Sequence, residues 1–465
     1  MSAADDTAAS SAYQVGGVTL WPPVEAVRTL LRRRLARDIS LLQASNALQK
    51  VWGAAYNVLS FRLLGDTGYG QFLLVLSLYN TVNLLGSLGL GQFLIVPLSQ
   101  AAAAGDRNEV ARACGYNLKL SFCISIGILV ASLTFGPLLG ELVYTGEMGT
   151  SLGMLMRIVA LGSVPSIFYT LTTTSLQSVR RMRELAIVEN VDGVLFRAIG
   201  VVALLLGHGV PGMLWAVAIG GTLSALHALY QYWRVAVKQH GFPGFGELVR
   251  EAVRVPFGQY FRFSALAVVD KNVAQFFAQT PLLFLGRWAG PEQAAYFGVA
   301  SKLFSLLAGF HGAASRALSV RLSQEYGQLG AVATRRLFWR TLLLWGGLST
   351  AGAVVLACLM PVFRWVYTPA ALPSVGLVVL FALLTAKQGF TVTLGSIFLI
   401  LDRVFVNVAI KVPLLLAAMP VGAWLVREWP GGAVGAAAYL LGAYLAGDLV
   451  YFGLLLTPWF WRRAK

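Results

Sequence analysis

The sequence predicts an all-α polytopic membrane protein of about 12 transmembrane helices arranged as two six-helix bundles. Three observations carry that prediction. Of 465 residues, 57% are hydrophobic and only 12% are charged, where soluble domains of this size run near a quarter charged. The apolar residues fall in runs of about 20, the length a helix needs to cross a bilayer. Lysine and arginine gather in every second connection between those runs, the pattern of a chain that threads back and forth through a membrane. A soluble α/β protein with buried strands matches none of the three. The net charge of +16 would suggest nucleic acid in a soluble chain. Here the basic residues sit between apolar runs and report topology, so no nucleic-acid partner is expected.

Taken in order, residues 1–20 are small and polar and read as a disordered tail. They lead into VRTLLRRRLARDIS, where Arg28, Arg32, Arg33, Arg34 and Arg37 alternate with Leu30, Leu31, Leu35 and Ile39. That pattern reads as a basic amphipathic helix on the cytoplasmic leaflet, or as a plain retention signal for the first span. Residues 1–40 therefore form the tail and the basic segment. Spans are expected near 44–64, 70–98, 117–138, 150–176, 185–207 and 210–233, which make an N-terminal bundle over 41–233. A basic cytoplasmic linker covers 234–262. Spans near 264–286, 294–315, 338–360, 371–400, 404–426 and 432–457 make a C-terminal bundle over 263–465.

With the N-terminus inside, clusters such as Arg180-Arg181-Arg183 and Arg335-Arg336 are cytoplasmic, and Arg62, Arg287, Arg364 and Arg427 fall outside. The even span count returns the C-terminus to the cytoplasm. Cys114, Cys123 and Cys358 lie in or beside apolar segments without metal or disulfide spacing.

The chain also repeats itself. Asn46-x-x-Gln49 opens the first span, and Asn272-x-x-Gln275 opens the seventh. Each of these spans ends in a glycine corner: Arg62-Leu-Leu-Gly65 before Tyr69-Gly70, and Arg287-Trp-Ala-Gly290 before Tyr296-Phe-Gly298. Ser99-Gln100 and Ser323-Gln324 close the spans that follow. Six spans per repeat is an even number, so both halves enter the membrane the same way. An axis along the membrane normal should relate them, with a central cavity between the lobes.

The stretch Val58-Leu-Ser-Phe-Arg-Leu-Leu-Gly-Asp-Thr-Gly-Tyr-Gly-Gln-Phe72, running into Leu84-Leu-Gly-Ser-Leu-Gly-Leu-Gly91, resembles the opening hairpin of polysaccharide-biosynthesis exporters. These are the Wzx-type flippases of the MOP (MATE-like) superfamily. The resemblance covers the first two spans and recurs, degraded, in spans seven and eight. It implies movement of an undecaprenyl-diphosphate-linked oligosaccharide across the bacterial inner membrane by alternating access, for O-antigen, capsule or exopolysaccharide synthesis. It implies no enzyme chemistry and no cofactor beyond H⁺ or Na⁺ coupling. The partners it implies are the lipid-linked glycan, the bilayer, and the glycan polymerase and chain-length machinery. A MATE-type cation-coupled drug antiporter and a membrane glycosyltransferase or polymerase are the alternatives. An excess of intramembrane cations argues against the first, and short external loops argue against the second.

A charge inside a bilayer costs roughly 2.5 kcal/mol or more, so each needs a reason. Asn46, Lys50, Gly53 and Asn57 share one face of span one, with Gln49 beside them. Lys271, Gln275 and Gln279 share one face of span seven. Amides and ammoniums suit sugar hydroxyls and phosphate, so both stripes are read as substrate-cavity residues. Lys302, Lys387 and Lys411 join that set as intramembrane cations, and Asn80 and Asn83 as an amide stripe of span two. Several have a blander alternative. Lys50 and Lys271 lie near a span end and can snorkel, the span-two amides can bond between helices, and Arg197 can neutralise Glu189 or Asp192. Glu189, Asp192 and Asp270 are the candidates for ion coupling. No residue is assigned a catalytic or metal-binding role.

Overall fold

The structure is a computed structural model. It describes residues 13–15, 18–20, 24–86, 98–179 without 100 and 103, 181–257, 261–361, 374–391, 394–401, 403–428 and 432–457. Side chains are described from residue 48 onward, except at 85–86, 258–271, most positions of 308–333 and a few of 392–404.

Two short strands, β1 (Tyr13–Val15) and β2 (Val18–Leu20), pair antiparallel where the sequence reads as a disordered tail. Everything else with regular structure is helical among the described residues. Helix α1 (Val24–Gly86) takes in the basic segment and continues without a break into the first span. Then come α2 (Arg107–Val143), α3 (Gly146–Ala160), α4 (Ser166–Ser178) and α5 (Met182–Leu205). Helix α6 (Gly209–Gln231) runs on through one π-helical turn to His240. The short α7 (Phe245–Arg254) lies in the linker. The second half is α8 (Phe261–Trp288), α9 (Gly290–Cys358), α10 (Val375–Phe390), α11 (Leu394–Ile400), α12 (Val404–Glu428) and α13 (Gly432–Leu456).

Five stretches are long and apolar enough to cross a membrane by themselves: 107–143, 209–240, 334–358, 405–428 and 432–456. Of the remaining predicted spans, the fifth is the continuous helix α5, which carries several charged residues, and others map onto helices that are bent or broken. In α1, Gly65 breaks the helix at φ 71 and ψ −178, a left-handed conformation that only glycine adopts cheaply. The two arms on either side are spans one and two. Tyr69 of the second arm donates to Asn57 Oδ1 at 3.3 Å and packs edge-on against Phe61 of the first. Helix α9 also holds two spans. A straight helix would separate Leu307 from Gly352 by about 68 Å, yet a β-carbon on Gly352 would meet Leu307 at 3.2 Å. The element therefore doubles back between them. Span four is α3 and α4 with an intervening turn, and span ten is α10 and α11.

The repeat is visible in the backbone. Gly290 opens α9 at φ 85, as Gly65 opens the second arm of α1 at φ 71, and the two glycines stand 225 positions apart. These equivalent corners touch. Thr67 donates to Glu292 Oε1 at 3.4 Å across that same offset, and Tyr296 donates to Asp66 Oδ2 at 3.2 Å. Two residues that correspond by the repeat meet only where its axis passes, so the axis runs through the corners. A β-carbon on Gly70 would collide with the carbonyl of Pro291, so this seam needs a glycine.

Within each half the helices pack in matching ways: α1 on α5, α2 on α3 and α5 on α6, then α9 on α10, α8 on α12 and α12 on α13. A single apolar core joins the halves on the corner side, running from Tyr69, Leu74 and Tyr144 to Phe277, Leu285 and Phe297. Polar bonds fasten the same seam. Arg287 donates to the carbonyl of Leu142 at 2.7 Å, and Ser77 donates to that of Gln279 at 3.5 Å. The lobes are thus closed against each other at the corners.

Candidate functional site

Behind that seam a cavity of about 370 Å³ opens in the first lobe, with one lining residue from the second. Its polar wall is Asn57 on α1, Asp192 and Arg197 on α5, and Lys302 on α9. Its aromatic wall is Tyr56, Phe72, Tyr79 and Phe196.

Arg197 is the best-positioned side chain. Its guanidinium lies 4.8 Å over the Phe196 ring, and Nη1 donates to the carbonyl of Gly193 one turn back at 2.6 Å. Gly53 of α1 lies against the guanidinium, where a β-carbon would sit in ordinary contact with Nη2 at 3.5 Å. Gln49 packs beside the same group, against Gly193. Lys50 lies within electrostatic reach of Arg197, and Lys302 within reach of both. Lys302 is solvent-accessible. Among the described residues no carboxylate stands within ion-pair distance of these three cations. Asp192 is the acid nearest in effect, attracting Arg197 from the same helix.

Three cations and one acid leave the site positive. At roughly 2.5 kcal/mol or more per unpaired charge at membrane depth, such a set persists only where water or an anion reaches it. Chemically, the site can hold an anionic group by charge-assisted hydrogen bonds and lay a flat polar ring along the aromatic wall. It holds no nucleophile paired with a base.

The second lobe treats its cation differently. Lys387 on α10 meets Asp448 Oδ2 on α13 at 3.0 Å, with side-chain exposures of 13% and 10%, and its ammonium lies 4.6 Å from the Tyr444 ring centroid. Lys387 is therefore neutralised inside the lobe and absent from the cavity lining, which differs from its expected place there. The reason is a partner on another helix that helical spacing does not reveal.

The other expected site residues scatter. Asn57 lines the cavity and Gln49 packs at its edge. Asn80 is exposed and Asn83 half-buried, and neither lines it. Gln275 is exposed, while Gln279 meets Ser77 across the seam through its backbone carbonyl at 3.5 Å. Lys411 and Glu189 are half-buried on α12 and α5, outside the lining. The side chains of Asn46, Asp270 and Lys271 lie outside the described residues. The cation that the sequence left out of the site set is Arg197, for which neutralising Glu189 or Asp192 on the same helix is the alternative, although i+8 and i+5 are poor intrahelical spacings.

Residues 35–324 match the profile of the family described as "Polysaccharide biosynthesis protein". The chain belongs to the polysaccharide biosynthesis protein family. The matched region contains the whole first lobe together with Lys50, Arg197 and Lys302. Solved structures of the MOP superfamily share the fold. The eukaryotic MATE transporter AtDTX14 superposes with a TM-score of 0.67 at 15% identity, over 92% of this chain and 97% of its own. The lipid II flippase MurJ in an inward closed conformation gives 0.60 at 12% identity, over 88% and 87%. A MOP superfamily transporter from Pyrococcus furiosus, titled for the reverse polarity of its binding pocket, gives 0.58 at 14% identity, over 90% and 94%. A search of the curated proteins finds no match to the chain.

Proposed function

We propose that this protein is a flippase that carries a lipid-diphosphate-linked oligosaccharide from the cytoplasmic to the periplasmic leaflet of a bacterial inner membrane. One observation carries the reading: Arg197 and Lys302 line one cavity beside a single lining acid, Asp192, and Lys50 stands within electrostatic reach of both cations. A diphosphate supplies the anionic charge that this wall lacks. Arginine offers it a planar fork, and the two lysines add compact charge from other helices. Tyr56, Phe72, Tyr79 and Phe196 offer flat apolar faces to a sugar ring. With both termini cytoplasmic, the closed corner seam faces the periplasm and the cavity is entered from the inside. Lys302 comes from the second lobe, so anion binding draws on both halves and can bias their rocking. Asp192, beside Arg197, is the group through which H⁺ or Na⁺ would couple.

The test is surface glycan in a strain lacking its own flippase, with membrane abundance measured in parallel. Arg197→Gln and Lys302→Gln should each lower export severely at normal abundance, and Arg197→Lys should retain part of it. Full export by the Arg197→Gln/Lys302→Gln double variant would sink the proposal.

A further inference from the structure

The linker between the lobes carries a surface that substrate transport leaves unexplained. Helix α7 has all its apolar residues on one side, but only half of that side is covered. Leu248 is buried and Ala252 half-buried against α2, with Gly115 admitting the α7 backbone so closely that a β-carbon would lie 2.7 Å from Glu251 Cβ. The other half projects outward: Phe245, Val249 and Val253 are 55%, 44% and 77% exposed at successive turns. Just past the helix, Phe257 is 50% exposed with the Lys119 ammonium 4.4 Å from its ring centroid. An uncovered apolar row on a helix fixed this firmly is costly in water, at about 25 cal/mol per Å².

Two observations say what covers it. The first is continuity. Leu223, Leu226, Tyr230 and Trp233 form an exposed row down the spanning helix α6, which ends beside the linker. Lys238 sits 3.7 Å over the Trp233 ring, an arrangement suited to a membrane boundary where the ring meets acyl chains and the ammonium meets headgroups. The second is charge. Arg250 flanks the apolar row and is exposed, and Arg234 and Lys238 stand at the end of α6. The acids of α7 are occupied, Glu247 with Arg107 at 3.2 Å and Glu251 with Arg254 at 3.6 Å.

We infer that α7 is an interfacial anchor: its Phe245–Val249–Val253 row enters the acyl boundary of the leaflet on the linker side, with Arg250 and Lys238 on anionic headgroups. Such a helix gains from buried apolar area and from each basic residue near a negative surface. Because α7 is fixed to the first lobe and leads directly into α8 of the second, the leaflet holds the hinge between the lobes.

The test uses the full-length protein with Cys123 and Cys358 replaced by serine, reconstituted in vesicles. An environment-sensitive dye is placed at Val253→Cys or, as control, at Asn108→Cys, exposed in the first turn of α2, and quenched by brominated lipid or by aqueous iodide. Brominated lipid should quench the Val253 dye at least about twofold more than the Asn108 dye. The excess should be larger in phosphatidylglycerol than in phosphatidylcholine vesicles, and Arg250→Gln/Lys238→Gln should erase that lipid dependence at Val253. Equal lipid quenching at both positions would overturn the inference, as would a Val253 dye open to iodide. A Val253 dye shielded from both quenchers would assign the row to a second copy of the chain and overturn it as well. Quenching unaffected by lipid charge would remove the anionic preference.

Discussion

The two lobes share a backbone plan but handle intramembrane charge in opposite ways. The first lobe brings Arg197 to a cavity where, with Lys302 and with Lys50 within electrostatic reach, it meets a single lining acid. The second lobe locks Lys387 to Asp448 at 3.0 Å with little exposure. Corners that correspond by the repeat share a positive φ at Gly65 and Gly290, so a repeat can conserve a glycine corner while its polar chemistry diverges. An uncompensated cation at membrane depth points to a ligand, and a compensated one points to architecture.

The largest expected effect would break this comparison outright. Lys302→Gln combined with Arg197→Gln should abolish glycan export, whereas Lys387→Met combined with Asp448→Leu should leave most of it. Equal loss from the two pairs, at equal abundance, would place Lys387 on the transport path. Next comes stability. Asp448→Leu alone strands a buried ammonium and should cost roughly 3 kcal/mol, read as a lowered midpoint in detergent, and adding Lys387→Met should recover most of it. A stable single variant would mean that Lys387 reaches water or a second partner.

A smaller effect concerns the seam that both lobes share. Gly70→Ala would press a methyl into the Pro291 carbonyl and push the corners apart. Cysteines at Thr67 and Glu292 should then cross-link less efficiently than in the parent, and unchanged cross-linking would show that the seam is looser than its packing suggests. The smallest effect is expected at Arg335 and Arg336 on α9. They belong to neither charge arrangement, and neutralising both should leave export close to normal, apart from weaker orientation in the membrane.

How much was legible in the sequence differs between these features. The glycine corners were readable because a left-handed turn between two apolar runs admits little else, and the fixed offset then disclosed the repeat. Helical spacing puts Asn57 and Lys50 on one polar face of an apolar helix, and of the two Asn57 lines the cavity. Arg197 was not readable, since its neighbours in sequence include two acids that seemed able to satisfy it. Its place depends on Gly53 of α1 and Phe196 of α5 coming together around it. Lys387 misled for the converse reason. Beside Gln388 and Thr391 it looked like part of a cavity wall, and Asp448, which neutralises it, lies on a distant helix. The exposed row of α7 is a third case: its periodicity is local, but which half α2 covers is a matter of packing.

By itself, then, the sequence determined that the chain crosses a membrane many times, that it does so in two like-oriented halves, and that the halves turn at equivalent glycines. Those properties follow from transfer free energies and backbone sterics, which act residue by residue and over short spans. Only the tertiary structure decided which buried charges are paired, which open onto a cavity, and where the halves close on each other. Pairing needs two side chains within about 4 Å, and which helices supply them is set by packing between distant segments.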